Sequence, residues 1–224
     1  GISRVEIARK LDLTRAAVSS IVGDFLQLGI IREAERVSSG NGRPPIVLEI
    51  NPDFGNVVGI DIGATHISLL LADLGAGIID ELNIPFEIRT GPDSGLKKVN
   101  ESVQQLLIRN NLPSNRLMAI GIGVPGPISV EAGTVVSPPI IPGWDGYPIR
   151  DTLENLWRVP VSLSNDAELG ALGEWAAGAG RGERDLAYIK VGTGIGAGLL
   201  LDGQIYHGVS GSAGERFVRH LASS

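Results

Sequence analysis

The sequence predicts an α/β protein in two parts: a small helix-turn-helix unit over residues 1–50, then a body over 51–224 in which strand, glycine turn and strand recur. Three observations predict it. The first fifty residues hold two short amphipathic segments followed by β-type runs. Two glycine-centred turns, Gly63-Ala64-Thr65 and Gly192 to Gly198, each lie between apolar runs far apart in the chain. Charge divides at the same place: residues 1–50 carry seven Lys/Arg against six Asp/Glu, and 51–224 carry twelve against nineteen. So acidic a body repels polyanions, which confines any nucleic-acid contact to the first segment.

Composition removes several classes. The 224 residues include 31 Gly, about twice the ~7% of average usage, yet no G-X-Y period or Gly/Ser tract appears, which excludes collagen and low-complexity chains. The absence of Cys removes disulfides, thiolate zinc sites and Cys nucleophiles. Uncharged stretches such as Leu117 to Val130 contain Pro and Gly and fall short of the ~18 apolar residues of a membrane span. The N-terminus, with Glu6, Arg4, Arg9 and Lys10, does not read as a signal peptide. The expectation is a soluble, cytoplasmic protein.

In the first unit, Ser3 with Glu6 forms a capping-box pattern opening a helix from about 4 to 11. Asp12-Leu13 breaks it. Thr14 then caps a second helix, in which Val18, Ile21, Val22, Phe25 and Leu26 follow helical spacing and Gly29 supplies the stop. Ile30-Ile31-Arg32, the turn Ser38 to Gly42, and Ile46 to Ile50 read as a β-hairpin, the wing of a winged helix. Thr14, Arg15, Ser19 and Ser20 stand off the apolar stripe near the start of the second helix. In a major groove that end meets base edges, small residues allow close approach, and Arg15 reaches guanine or phosphate. Arg43 in Gly-Arg-Pro suits a narrow minor groove. The plainer readings are an αα-hairpin with a solvated face and a stiff Gly-Arg-Pro-Pro linker. A three-helix winged domain also needs a helix before position 1, so the sequence reads as a partial winged helix-turn-helix.

In the body, Val57 to Ile62, His66 to Asp73 and Ile78 to Ile88 are expected strands. The first turn can lay backbone N–H groups and the Thr65 hydroxyl on a phosphate, with Asp61 placed to hold Mg²⁺ through water; most such DxGxT strings are simply turns. A helix over 94–109, a strand over Met118 to Val124 and the loop Pro125-Gly126-Pro127 follow. The strand Val161 to Ser164 delivers Asn165-Asp166 to a helix over 167–179. There Asp166 is either a helix cap or a general base, with Asn165 binding a hydroxyl. After the strand Leu186 to Val191, the string Gly192 to Gly198 lacks the Gly-Lys-Ser/Thr of a Walker loop and leads into a strand instead of a helix. A second phosphate hairpin fits it, and two such hairpins point to one ATP clamped between two lobes.

Together these residues resemble the ROK family (repressor, open reading frame, kinase). The resemblance rests on Asp61 to Thr65, Val124 to Pro127, Asn165-Asp166 with Leu172-Gly173-Glu174, Gly192 to Gly198, and Gly211 to Glu215. It implies the actin-like ATPase/sugar-kinase (ribonuclease H-like) two-lobe α/β fold, with a first lobe about 51–125 and a second about 126–224. The winged helix and Gly-Arg-Pro-Pro segment resemble the repressor branch. In kinase members the residue matching Asp166 takes the sugar proton, and those matching Gly126, Asn165 and Glu215 serve sugar binding. Those matching Asp61, Gly63, Thr65, Gly192, Thr193, Gly194 and Gly196 hold ATP phosphates and Mg²⁺.

Two departures stand out. The family follows Gly-Glu with Ile/Phe-Gly-His, where this chain has Arg216-Phe217-Val218, with His220 displaced. Its Cys-rich zinc motif is absent, so structural zinc is not expected and the second lobe reads as incomplete. The expected function is a sugar-responsive transcriptional regulator with operator DNA, a small sugar or sugar derivative and other copies of itself, in a homodimer or higher homo-oligomer, as partners. The alternative is an ATP-dependent hexose kinase.

Overall fold

The computed structural model describes residues 1–35, 46–138, 141, 143–192, 194–208 and 213–214. It divides into two compact units, residues 1–56 with 72–79, and residues 57–71 with 80–224.

In the first unit, α1 (Arg4–Leu11) opens on the expected reciprocal cap: Ser3 Oγ accepts from Glu6 N–H, and the Glu6 carboxylate accepts from Ser3 N–H at 2.9 Å. Asp12 in the left-handed conformation ends α1, and Thr14 Oγ1 accepts from Ala17 N–H to start α2 (Arg15–Gln27). Strands β1 (Ile31–Glu35) and β2 (Ile46–Ile50) pair antiparallel, Ile31 opposite Ile50. Residues 36–45, the expected wing tip, fall outside the described residues. Ala8, Val18, Val22 and Leu48 form the core, while Leu11, Ile21, Phe25 and Ile50 remain exposed around an apolar groove.

The larger unit is built on a five-stranded sheet. Strands β3 (Asn56–Ile62), β4 (His66–Asp73), β5 (Ile78–Pro85), β6 (Leu117–Val124) and β9 (Val161–Asn165) lie in the order β5-β4-β3-β6-β9. Hydrogen-bonded neighbours joined by three or four residues must run antiparallel, whereas β6 and β9, separated by a long connection, pair parallel. Strand β5 ends at Pro85, which lacks an N–H for the ladder. Ile88 therefore sits in a short 3-10 turn (Ile88–Thr90) and not in the strand, where the sequence had placed it. Helix α3 (Pro92–Arg109) begins on Pro, at the position where a missing N–H costs nothing, and buries Leu96, Val99, Val103 and Leu106 against the sheet's core.

Sequence reading missed a small hairpin of β7 (Ile128–Ser129) and β8 (Thr134–Val135), and helix α4 (Ile149–Trp157). Trp144 lies fully buried between them, its Nε1–H donating to Ile88 O at 3.0 Å. Helix α5 (Asp166–Ala177) follows β9 without a gap. A second antiparallel sheet, β10 (Leu186–Val191), β11 (Ile195–Leu201) and β12 (Gln204–Ile205), completes the unit. Strand β11 starts inside the glycine string because glycine is needed there: a Cβ on Gly198 would run into the Ala167 carbonyl of α5.

No helix among the described residues is long and apolar enough to cross a membrane.

Candidate functional site

The end of β3, the start of β4, the turn after β6, the start of α5 and the β10–β11 turn converge on a cavity of about 320 Å³. Gly63, Thr65, Gly126, Asp166, Gly192, Gly194 and Gly196 all line it. Glycine permits the convergence. On Gly123 a Cβ would sit 2.9 Å from Leu169 Cδ1 and 3.4 Å from Asp166 Cα, so β6 and α5 approach only as closely as a bare backbone allows. Gly126 holds φ at 104°, a turn that L side chains rarely adopt.

Asp61 and Asp166 meet on a residue that the sequence reading did not single out. Lys190 Nζ lies 2.8 Å from Asp166 Oδ2 and 3.4 Å from Asp61 Oδ2. Burial disfavours the Lys190 charge, but the hydrogen bond and charge of Asp166, with Asp61 adding to both, outweigh it and raise the lysine above its ordinary pKa. The apolar alternation of β10 hid Lys190 from sequence reading. Leu186, Tyr188 and Lys190 share the partly buried face of the strand, while Ala187, Ile189 and Val191 are exposed. Tyr188 lies across Gly170, and one helical turn back along α5 from Gly170 is Asp166, beside which the next inward residue of β10 arrives.

The helix cap at this junction is Asn165, not Asp166. Buried Asn165 Oδ1 accepts from Ala167 N–H at 2.8 Å and from Glu168 N–H at 3.2 Å, and its Nδ2 donates to Gly126 O at 3.1 Å. One side chain thus starts α5 and ties it to the Gly126 turn. Asp166 is the first helical residue; its Oδ1 accepts from Ala167 N–H at 2.9 Å and its Oδ2 meets Lys190. Each carboxylate oxygen can accept twice, so Asp166 keeps room for a ligand hydroxyl. One turn on, the buried Glu168 carboxylate accepts from Ser164 Oγ at 2.7 Å and lies 2.9 Å from His207 Nδ1. This anchors the segment after β12 to α5.

ATP and Mg²⁺ can be tested against these atoms. Asp61 Oδ1 is buried without a hydrogen-bond partner, and Oδ2 is the oxygen that Lys190 approaches. The ammonium also covers Asp166 Oδ2. Mg²⁺ is held through one or two carboxylates and its own waters, and here both carboxylates already carry the Lys190 ammonium, whose charge a divalent ion would have to stand against; this arrangement does not fit it. The N–H groups of Gly63 and Gly192 are also spent within their own hairpins, donating to His66 O and Gly194 O at 2.9 Å. Among the described residues no cluster of His, Cys, Asp and Glu is arranged to hold a metal. Thr193, Glu215 and His220 fall outside the described residues.

In the first unit Thr14, Arg15, Ser19 and Ser20 are all exposed at the N-terminal half of α2. Val18 and Val22 point the opposite way into the core. Arg43 falls outside the described residues.

Comparison with known proteins places the chain. It is 33% identical to a xylose repressor from Caldicellulosiruptor bescii over 96% of its own length and 53% of that protein. The crystal structure of a ROK family transcriptional regulator, a homologue of the Escherichia coli MLC protein, superposes with a TM-score of 0.76, covering 95% of this chain and 54% of that one at 22% identity, a likeness of fold. A ROK glucokinase from Streptomyces griseus, solved with glucose and AMPPNP, superposes with a TM-score of 0.64 at 28% identity, covering 72% of this chain and 49% of that one. The chain therefore spans about half the length of these relatives and has the α/β actin-like sugar-kinase fold. The ROK family profile matches residues 57–216, the whole set of strands and turns around the cleft, and the chain belongs to the ROK family.

Proposed function

We propose that this chain belongs to a sugar-responsive, DNA-binding transcriptional regulator of the repressor type, acting in the cytoplasm as a homo-oligomer. Residues 1–50 would read an operator, and residues 51–224 would bind a small sugar or sugar derivative. One observation carries this reading. The family profile begins at residue 57, yet the similarity to a xylose repressor extends over 214 residues and so takes in most of the first fifty. The exposed Thr14, Arg15, Ser19 and Ser20 supply the chemistry for a groove: small polar groups and one guanidinium at the start of a helix. Arg43 would add a minor-groove contact. In the cleft Asp166, Asn165, Gly126 and Glu215 would meet the sugar.

Sugar affects DNA binding only if it binds the DNA-bound and DNA-free states with different affinity. Fluorescence anisotropy of a labelled duplex from upstream of the reading frame, titrated with protein in the presence and absence of D-xylose or D-glucose, tests this. Binding should be salt-sensitive and weakened by the cognate sugar. Affinity that no sugar alters would overturn the reading.

A second reading has its own support: Asp166 and both glycine turns line one cleft, with Asp61 joined through Lys190, and the family's ATP-dependent hexose kinases use the residue matching Asp166 as general base. Coupled ADP release across hexoses, with Asp166→Ala as control, decides it. Sugar-dependent ADP release lost in that variant would establish the kinase.

A further inference from the structure

We propose that Lys190 is the internal counter-cation of the cleft. Its ammonium joins Asp166 to Asp61, the carboxylate that the family resemblance assigns to Mg²⁺, making the cleft a metal- and nucleotide-independent receptor for an uncharged sugar. The inference rests on the reading of the chain as a sugar-responsive regulator and deepens it by naming the ligand's charge class and the residue that selects it.

The argument starts from charge. Asp166 lines the cleft and Asp61 is joined to it through Lys190, and two carboxylates so placed repel unless a cation lies between them. A metal would supply that cation from solution. Here Lys190 supplies it from β10, within hydrogen-bond reach of Asp166 and close to Asp61. The trio retains one net negative charge, and no other Lys or Arg among the described residues lines the cavity. A nucleotide or sugar phosphate entering without metal therefore meets net repulsion. A neutral polyol does not.

Geometry gives the same answer. Asp61 Oδ1 is buried, and Oδ2 is the oxygen that the ammonium approaches. A divalent ion reaching that oxygen would stand against the positive charge of Lys190. Asp166 retains lone pairs for a hydroxyl, while the Oδ2 that would take a proton from it is held by Lys190 Nζ at 2.8 Å. That suits a hydrogen-bond acceptor that orients a sugar better than a base that deprotonates one. A cavity of about 320 Å³ is of small-molecule size.

Three measurements on the whole chain test this. First, calorimetric titration with D-xylose and D-glucose in EDTA and then in MgCl₂ should give dissociation constants equal within about twofold, one decade corresponding to 1.4 kcal/mol. Sugar binding that needs Mg²⁺ would overturn the proposal. Second, Mn²⁺ titration followed by electron paramagnetic resonance should give no site at the cleft in the wild type and binding at least about tenfold tighter in Lys190→Met, where the carboxylate pair is bared. A wild-type Mn²⁺ site as tight as that of the variant would overturn it. Third, and independent of whether Lys190→Met folds, the wild-type Lys190 ¹³Cε resonance should shift with the bound sugar and stay unbroadened by Mn²⁺. Broadening by Mn²⁺ would overturn it. If neither sugar binds under any condition, the regulator reading loses its ligand, while the Mn²⁺ measurements still decide the role of Lys190.

Discussion

Replacing Asn165 by alanine removes more than one interaction, and its cost can be built up from the contacts. The side-chain oxygen caps α5 through two N–H groups, and loss of such a cap costs about 1 kcal/mol and up to 2. The amide nitrogen braces the Gly126 carbonyl, and a lost hydrogen bond leaving a part-buried acceptor adds about 1 kcal/mol. Asn165→Ala should therefore destabilise the larger unit by about 2–3 kcal/mol, lowering Tm by about 5–10 °C at the ~2–4 °C per kcal/mol usual for units of this size. Asn165→Ser isolates the two parts, because serine caps well but cannot reach Gly126, and it should cost about 1 kcal/mol. All three tryptophans, Trp144, Trp157 and Trp175, lie in this unit, so urea denaturation followed by tryptophan fluorescence reads its stability without interference from the first. Equal losses for Ala and Ser, or a loss below about 0.5 kcal/mol for Ala, would refute the assignment of Asn165 as both cap and brace.

Other substitutions separate backbone from side-chain roles. Gly198→Ala drives a methyl group into the Ala167 carbonyl and within 2.8 Å of Ala171 Cβ, so it should cost about 2–3 kcal/mol by overpacking. Gly192→Ala, with open space around its Cβ, should change urea stability by less than about 0.5 kcal/mol. Arg15→Ala should weaken operator binding and lower the slope of log affinity against log salt by about 1, the loss of one phosphate contact. A change in affinity at unchanged slope would instead make Arg15 a base reader. Asp80, bonded to Arg109 and Asn110, is held down from 3.8 to about 2. Its folded value lies below its unfolded one, so the stability from this pair is present above 3.8 and lost as the pH falls towards 2. A ¹³C carboxyl titration of Asp80 with a midpoint near 3.8 would contradict this, and Asp80→Asn should remove the pair's contribution to the acid dependence.

How far the sequence reaches depends on whether a signal is local. The Ser3–Glu6 box, the Thr14 cap, the α2 stripe and the strands around the glycine turns were legible because each depends on neighbours three, four or two positions away, and each appears within a residue or two of its expected place. Helix α4 and the β7–β8 hairpin were not. The stretch between them carries Trp144, whose bond to Ile88, 56 residues away, leaves no periodic trace in a Pro- and Gly-rich sequence. At the cleft, Asp61, Asp166 and the glycines were legible as residue types suited to phosphate and sugar. Whether Asn165 or Asp166 capped α5 was not, since both can cap and only the direction of the side chain decides.

Lys190 marks the boundary most clearly. In the sequence of β10 the apolar Ala187, Ile189 and Val191 compete for the inward face that Leu186, Tyr188 and Lys190 occupy, and the partners of Lys190 lie 24 and 129 residues away. Local chemistry, by itself, determined the elements, the turns and the two carboxylates. Only the tertiary structure decided that a lysine stands between those carboxylates, because charges distant in sequence acquire an interaction energy only when folding brings them within a few ångströms.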